Sequence, residues 1–64
     1  MKITKQHIGQ PGEFTGTDGK KYYGNMVNKS RNIITFKYYI PGKAGEFVGY
    51  FDNAAVKQTN LIIY

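Results

Sequence analysis

In the stretch "IITFKYYI" at 33–40, every second residue from 34 onward is apolar or aromatic, whereas the residues between them include Thr35 and Lys37. Successive side chains of a β-strand point to opposite faces, so this alternation predicts a strand with one buried face. The other face mixes Lys37 with Tyr39 and is expected to be exposed. The face expected to line the core consists of Ile34, Phe36, Tyr38 and Ile40.

On both sides of this stretch, short β-compatible runs are separated by turn signals. "TDGK" at 17–20 predicts a hairpin, because Asp-Gly favours a turn that matches the twist of paired strands. "GQPG" at 9–12 and "NKSRN" at 28–32 are also predicted turns. The predicted strands are 2–8, a short one beginning at 13, 21–28, 33–40, 46–51 and 57–64.

No long run of apolar residues recurs with the helical period, which favours an all-β fold. Five or six short strands with Gly-rich turns predict a small barrel formed by one domain, 1–64. In "GYFDNAAVKQTNLIIY" at 49–64, a strand, one helical turn at 52–56 and a last strand follow one another, with Asp52 as the expected N-cap. This order resembles the ending of SH3-like barrels, and an OB-like barrel is the alternative.

The composition limits how so small a domain can be stabilised. The chain has no Cys and one His, so neither a disulfide nor a structural metal is expected. "MKITKQHIGQ" at 1–10 has no apolar segment typical of a secretion signal, and no apolar run approaches the length of a membrane span. We therefore expect a cytoplasmic protein that does not associate with membranes.

The pattern G-E-F-x-G occurs twice, at 12–16 and at 45–49. Each copy follows Gly- and Pro-containing turns, and a Gly inside a strand usually marks a bend or a close approach of backbones. We interpret the repeat as two bends, each with a Phe directed into the core. Glu13 and Glu46 as a catalytic carboxylate pair are the disfavoured alternative, because no further acid or base accompanies them.

No other motif predicts catalysis, a metal or a cofactor. His7 stands alone, and Ser30 is the only Ser. "GTDGKKYYG" at 16–24 is not a phosphate-binding loop, because Lys21 occupies the position where Ser or Thr is required. The sequence therefore predicts a binding protein rather than an enzyme.

Basic residues alternate with aromatic ones in the middle of the chain, and the net charge is +5. Cations neutralise phosphates while exposed aromatic rings stack on unpaired bases, so we predict binding of single-stranded DNA or RNA with weak sequence specificity. In each Tyr-Tyr pair one ring must point outward. The predicted nucleic-acid-binding residues are Lys20, Lys21, Tyr23, Arg31, Lys37, Tyr39 and Lys43.

Two alternatives stay open. Exposed Tyr and Arg also suit protein interfaces, so the chain could be an accessory module of phage or mobile-element type that docks on a host protein and modulates it. The outward tyrosines could also serve only as cross-strand pairs covering the sheet. The apolar end "LIIY" at 61–64 must be covered, which is compatible with a homodimer formed through the C-terminal strand.

Overall fold

A computed structural model describes residues 3–64 as one antiparallel five-stranded sheet with a short helix. The strands are β1 (Pro11–Thr15), β2 (Lys21–Ser30), β3 (Ile33–Tyr38), β4 (Phe47–Phe51) and β5 (Ile62–Ile63), with helix α1 at Asn53–Thr59 and a 3-10 helix at Lys5–His7. Their order across the sheet is β4-β3-β2-β1-β5. The prediction of an all-β fold with one helical turn before the last strand is confirmed in part: the fold is mostly β, with one short helix before the last strand.

The sheet curls strongly without closing. The rings of Phe14 in β1 and Phe51 in β4 lie 5.1 Å apart, although two strands separate β1 from β4. A flat sheet would hold such strands roughly 14 Å apart. No pairing joins β4 to β5 within residues 3–64, so the predicted closed barrel is not confirmed. β5 has only two residues, and they pair with β1, so β4 and β5 remain the two edges of the sheet.

The concave side of the sheet holds the core. Phe36 and Met26 lie side by side on paired strands and are fully buried. Phe14 is buried as the repeat predicts, whereas Phe47 is half-buried and stacks on Tyr38. Tyr22, Tyr38, Ala55, Val56 and Ile3 complete the core around its edge. The buried hydrophobic residues are Phe14, Met26, Ile34, Phe36, Phe51, Leu61 and Ile63.

The segment after β4 differs from the prediction in its extent. Asp52 caps α1 as predicted, since its carboxylate accepts from the Ala55 N–H at 2.8 Å. The helix continues to Thr59, however, so the prediction of a strand from residue 57 was wrong. Two adjacent Ala residues favour helix, and Asn60 in the left-handed conformation ends it.

The N-terminal strand predicted at 2–8 was also wrong for the residues described there. Lys5–His7 form a 3-10 helix capped by Thr4, whose backbone N–H donates to Nδ1 of His7 at 3.0 Å. Residue 2 lies outside the described residues. The turn predicted at 9–12 is shorter than expected, because β1 already begins at Pro11, and the strand predicted at 33–40 ends at Tyr38.

Candidate functional site

The convex side of the sheet presents Tyr23 and Tyr39 as neighbours. Gly24 of β2 pairs with Tyr38 of β3, and the Tyr39 N–H donates to the Tyr23 carbonyl at 3.2 Å. Tyr23 is 57% exposed and Tyr39 is 55% exposed, whereas Tyr22 and Tyr38 turn inward. One ring of each Tyr-Tyr pair therefore points outward, as alternation requires. We call the convex side of β1 to β4 around these two rings the tyrosine face.

Two lysines flank the tyrosine pair at the end of the sheet where β2 begins. A hollow of about 210 Å³ is lined by Lys21, Tyr23, Tyr39 and the adjoining Ile40–Pro41. A second hollow of about 170 Å³ shares Lys21 and Ile40–Pro41 with it and adds Lys20 and Tyr22. The structure thus gathers Lys20, Lys21, Tyr23 and Tyr39 around one short apolar segment.

Lys37 belongs to the same face but lies one row further along, opposite Val48 of β4. Lys43 lies in the connection between β3 and β4, where its N–H donates to the Ile40 carbonyl at 3.0 Å. Arg31 is not brought together with the others. It sits at the opposite end of the β2–β3 hairpin, eight residues beyond Tyr23 and hence roughly 25 Å away along the strand.

Carboxylates accompany both lysines of the tyrosine face. Lys21 Nζ lies 3.5 Å from Glu13 Oε2, and Glu13 also accepts from the Tyr64 hydroxyl. Lys37 Nζ lies 3.9 Å from Glu46 Oε2. The side chains of Lys37 and Glu46 are both about half exposed, and exposed ion pairs contribute only about 0–1 kcal/mol, so a phosphate can replace Glu46 at small cost. The Glu13 side chain is only 14% exposed, so its pair with Lys21 is less screened by water. Glu13 and Glu46 thus act as partners of surface lysines.

The remaining acidic side chains also have partners within the chain. Asp18 accepts from the Tyr22 hydroxyl at 2.6 Å and from the Lys20 N–H at 3.0 Å. The bond from Tyr22, followed by that from Lys20, lowers the pKa of the Asp18 carboxyl, and the Tyr22–Asp18 bond raises the pKa of Tyr22. Asp52 caps α1.

Most of the basic side chains, by contrast, have no acidic partner. Within residues 3–64, ion pairs involve Lys21 and Lys37 alone. The other cations lie in turns, at strand ends or on the helices, so the molecule keeps an excess of positive charge at both ends of the sheet. These cations are Lys5, Lys20, Lys29, Arg31, Lys43 and Lys57.

Sequence reasoning missed several apolar and aromatic residues of the convex surface. Tyr50 is the most exposed large side chain there, at 71%, and Val48 beside it is also exposed. Ile62 and Tyr64 extend this surface across β5. The signal was present in "FVGYF" at 47–51, where Phe47 and Phe51 on the buried face require Val48 and Tyr50 on the other.

Among residues 3–64, no three His, Cys, Asp or Glu side chains are grouped closely enough to hold a metal ion. His7 uses Nδ1 to cap the 3-10 helix. The helices of the same residues are too short to cross a membrane.

Comparisons of the chain with family models, with curated proteins and with solved structures find no match. A function must therefore be inferred from the surface itself.

Proposed function

We propose that this chain is a small basic binding protein, not an enzyme, and that its tyrosine face binds single-stranded nucleic acid with weak sequence specificity. The observation that carries the proposal is the exposed pair of Tyr23 and Tyr39 on adjacent strands, with Lys20 and Lys21 beside it. Two rings on neighbouring strands offer successive bases a stacking surface, and stacking does not depend on base identity.

The charge distribution supports the same ligand. Lys20 and Lys43 have no acidic partner and lie at the end of the sheet that carries the tyrosine pair. Lys21 and Lys37 contribute further when a phosphate displaces Glu13 or Glu46 from them. Each phosphate that is neutralised releases counterions, so the affinity depends strongly on salt. The two carboxylates repel phosphate and keep the affinity moderate.

The direct test is a fluorescence-anisotropy titration of a labelled oligothymidylate of about 12 nucleotides at increasing salt. We expect log Kd to rise linearly with log salt concentration. Tyr39→Ala should weaken binding by roughly 5- to 150-fold, since stacking contributes about 1–3 kcal/mol per base. Tyr39→Phe keeps the ring and should bind like the wild type. Absence of binding to any DNA or RNA oligonucleotide at low salt would overturn the proposal.

Removing the charge of Glu46 tests whether the ligand of the tyrosine face is an anion such as nucleic acid. Glu46→Gln removes a carboxylate from the tyrosine face and frees Lys37, so oligonucleotide affinity should increase. Glu46→Asp retains the charge and is the matched control. A Glu46→Gln protein that binds oligonucleotides no better than Glu46→Asp would show that phosphates do not approach this face.

A protein-docking module of phage or mobile-element type is the second candidate, and the exposure of Val48, Tyr50 and Ile62 favours it. Tyr is enriched at protein interfaces, and the charge-balanced ion pairs beside it suit a protein surface. In a pull-down from nuclease-treated bacterial lysate, this candidate predicts a partner that persists and that is lost with Tyr50→Arg. The nucleic-acid proposal predicts that nuclease removes the captured material.

The curled sheet would be an SH3-like barrel left open between β4 and β5, with an OB-like barrel as the alternative, in a cytoplasmic protein.

Leu61 and Ile63 are buried within their own chain, so a homodimer through the C-terminal strand would use Ile62, Tyr64 and the outer edge of β5. Sedimentation equilibrium over a wide concentration range tests this, and a monomer throughout would exclude the dimer.

A further inference from the structure

A pocket of about 320 Å³ lies where the β2–β3 hairpin turns, at the end of the sheet remote from Tyr23 and Tyr39. Lys29 lies opposite the buried Ile34 in the β2–β3 pairing, so the Lys29 side chain is on the concave side of the sheet. The size is at the lower end of the range for small-molecule sites. Ile3, Ile34 and Val56 supply its apolar lining, and its polar lining consists of Lys29, Arg31, Asn32 and Asn53. We call it the hairpin-end pocket.

The polar lining carries positive charge and side-chain amides that can donate hydrogen bonds. No Asp or Glu is among the lining residues, whereas two cations are. Lys29 Nζ donates to the Arg31 carbonyl at 2.6 Å, which leaves two of its hydrogens available. The side chains of Arg31, Asn32 and Asn53 make no hydrogen bond with any residue of 3–64, so all three are available to a ligand. Such a lining selects an anion.

The two-residue turn requires a positive φ at its first residue, and Arg31 rather than Gly occupies that position. Arg31 and Asn32 form the two-residue loop between the paired Ser30 and Ile33, and Arg31 has φ +54°. Gly, Asn and Asp occupy such positions readily, whereas other side chains there cost stability. Strain of this kind tends to be retained where the side chain has a function. Here it places Arg31 in the lining of the hairpin-end pocket.

We propose that the hairpin-end pocket binds a phosphate monoester carried on a planar or apolar body, such as a nucleotide. A phosphate monoester has a charge of about −2 and three acceptor oxygens, which match the Arg31 fork, the Lys29 ammonium and the two amides. The body of the ligand packs against Ile34 and Val56. The proposal uses the concave end of the sheet and does not depend on nucleic-acid binding by the tyrosine face.

The test is a ¹H–¹⁵N titration of the full chain with adenosine 5′-monophosphate, beside adenosine and inorganic phosphate as separate probes. We expect saturable shifts at 29–34 and at Asn53 with a Kd at or below about 1 mM, and at least tenfold weaker binding of either fragment alone. A nucleotide that binds no tighter than adenosine, or one that shifts only Tyr23 and Tyr39, would overturn the proposal.

Arg31→Gly tests the site without endangering the fold. Gly removes the guanidinium and relieves the strain at φ +54°, so the melting temperature should hold or rise while nucleotide binding falls at least tenfold. Lys57→Gln removes one positive charge from α1, outside the pocket lining, and should leave binding unchanged. Equal losses of nucleotide affinity in the two variants would show that only the overall charge matters and would refute the site.

Two further arms identify the source of the phosphate. A 5′-phosphorylated trinucleotide and its unphosphorylated counterpart are titrated in the same way. If the pocket binds the phosphorylated trinucleotide more tightly than the free nucleotide, its ligand is the 5′ end of a strand. If it binds the free nucleotide more tightly, its ligand is a nucleotide. Either result supports the site. Shifts at 29–34 and at Asn53 report binding in the hairpin-end pocket, and shifts at Tyr23 and Tyr39 report binding at the tyrosine face, which separates a failure of this proposal from a failure of the tyrosine face.

Discussion

At the scale of single residues, position 24 tolerates no side chain larger than that of Gly. A Cβ at Gly24 would overlap the carbonyl oxygen of Lys37 on the neighbouring strand. At Gly49 the nearest atom to an added Cβ would be Cε1 of the Phe51 ring, at 2.8 Å. A ring can turn away, whereas a backbone carbonyl held in the sheet cannot.

We therefore predict that Gly24→Ala lowers the free energy of unfolding by at least about 2 kcal/mol, because the strands must separate locally. Gly49→Ala is the matched control on the same face and should cost about 1 kcal/mol. Urea denaturation followed by circular dichroism measures both. Equal costs for the two variants would contradict the role assigned to the Lys37 carbonyl.

The bond between Asp18 and Tyr22 gives the hairpin at 17–20 a dependence on pH. Because the pKa of Asp18 is lowered in the folded chain, the ionised carboxyl stabilises the fold above the unfolded value of 3.8. That contribution is lost as the pH falls below 3.8 and through the lowered pKa. The raised pKa of Tyr22 acts in the opposite sense, and its contribution is lost as the pH rises above 10.0.

Tyr22→Phe should weaken both dependences while it keeps the ring stacked on Phe14 at 5.3 Å. Urea denaturation from pH 2 to pH 6 should show a shallower loss of stability at low pH than in the wild type. Tyr39→Phe removes a hydroxyl from the other face and should keep the wild-type acid dependence. An unchanged slope in Tyr22→Phe would show that its hydroxyl does not hold Asp18.

At the scale of elements, α1 depends on its N-cap, Asp52, more than on its length. Seven residues are too few for a stable isolated helix, so the cap and the packing of Ala55 and Val56 on the core must hold it. Asp52→Ala removes the acceptor of the Ala55 N–H and should cost about 1 kcal/mol. Asp52→Asn keeps an acceptor and should cost less. A loss with Asn as large as with Ala would indicate that charge, not capping, matters.

At the scale of the whole molecule, the curl of the sheet depends on a cluster of aromatic rings. Phe14 contacts the rings of Phe36, Tyr38 and Phe51, with centroids 5.9, 4.9 and 5.1 Å away. The Phe14–Phe51 contact joins β1 to β4, and the other two join β1 to β3, in both cases where no strand pairing does. The ring therefore closes the core of a sheet whose edges stay apart.

Phe14→Leu should lower the free energy of unfolding by about 1–2 kcal/mol, and Phe14→Ala by about 3–5 kcal/mol, enough to unfold much of so small a domain. Tyr50→Ala removes a ring of similar size from the convex side and should change stability by about 0.5 kcal/mol or less. Chemical denaturation checks the three variants together. A Tyr50 variant as unstable as Phe14→Leu would contradict the assignment of the two faces.

Much of the architecture could be predicted because it follows from local rules. Alternation placed Phe36 in the core and Tyr39 outside, Asp-Gly marked the first hairpin, and Asp52 was identified as a cap. The last strand was overestimated, because "KQTNLIIY" is β-compatible from its first residue and only the preceding cap and the Asn60 stop reveal the helix.

For β2 and β3, the sequence by itself thus determined which side chains face inward and which face outward, because the pleat of a strand sets that over two or three residues. Only the tertiary structure decided which of them meet. It showed that Glu13 and Glu46 pair with lysines of the tyrosine face, that Arg31 lies at the other end, and that the sheet curls without closing. These features depend on register and on contacts between distant strands, which no short segment of the chain specifies.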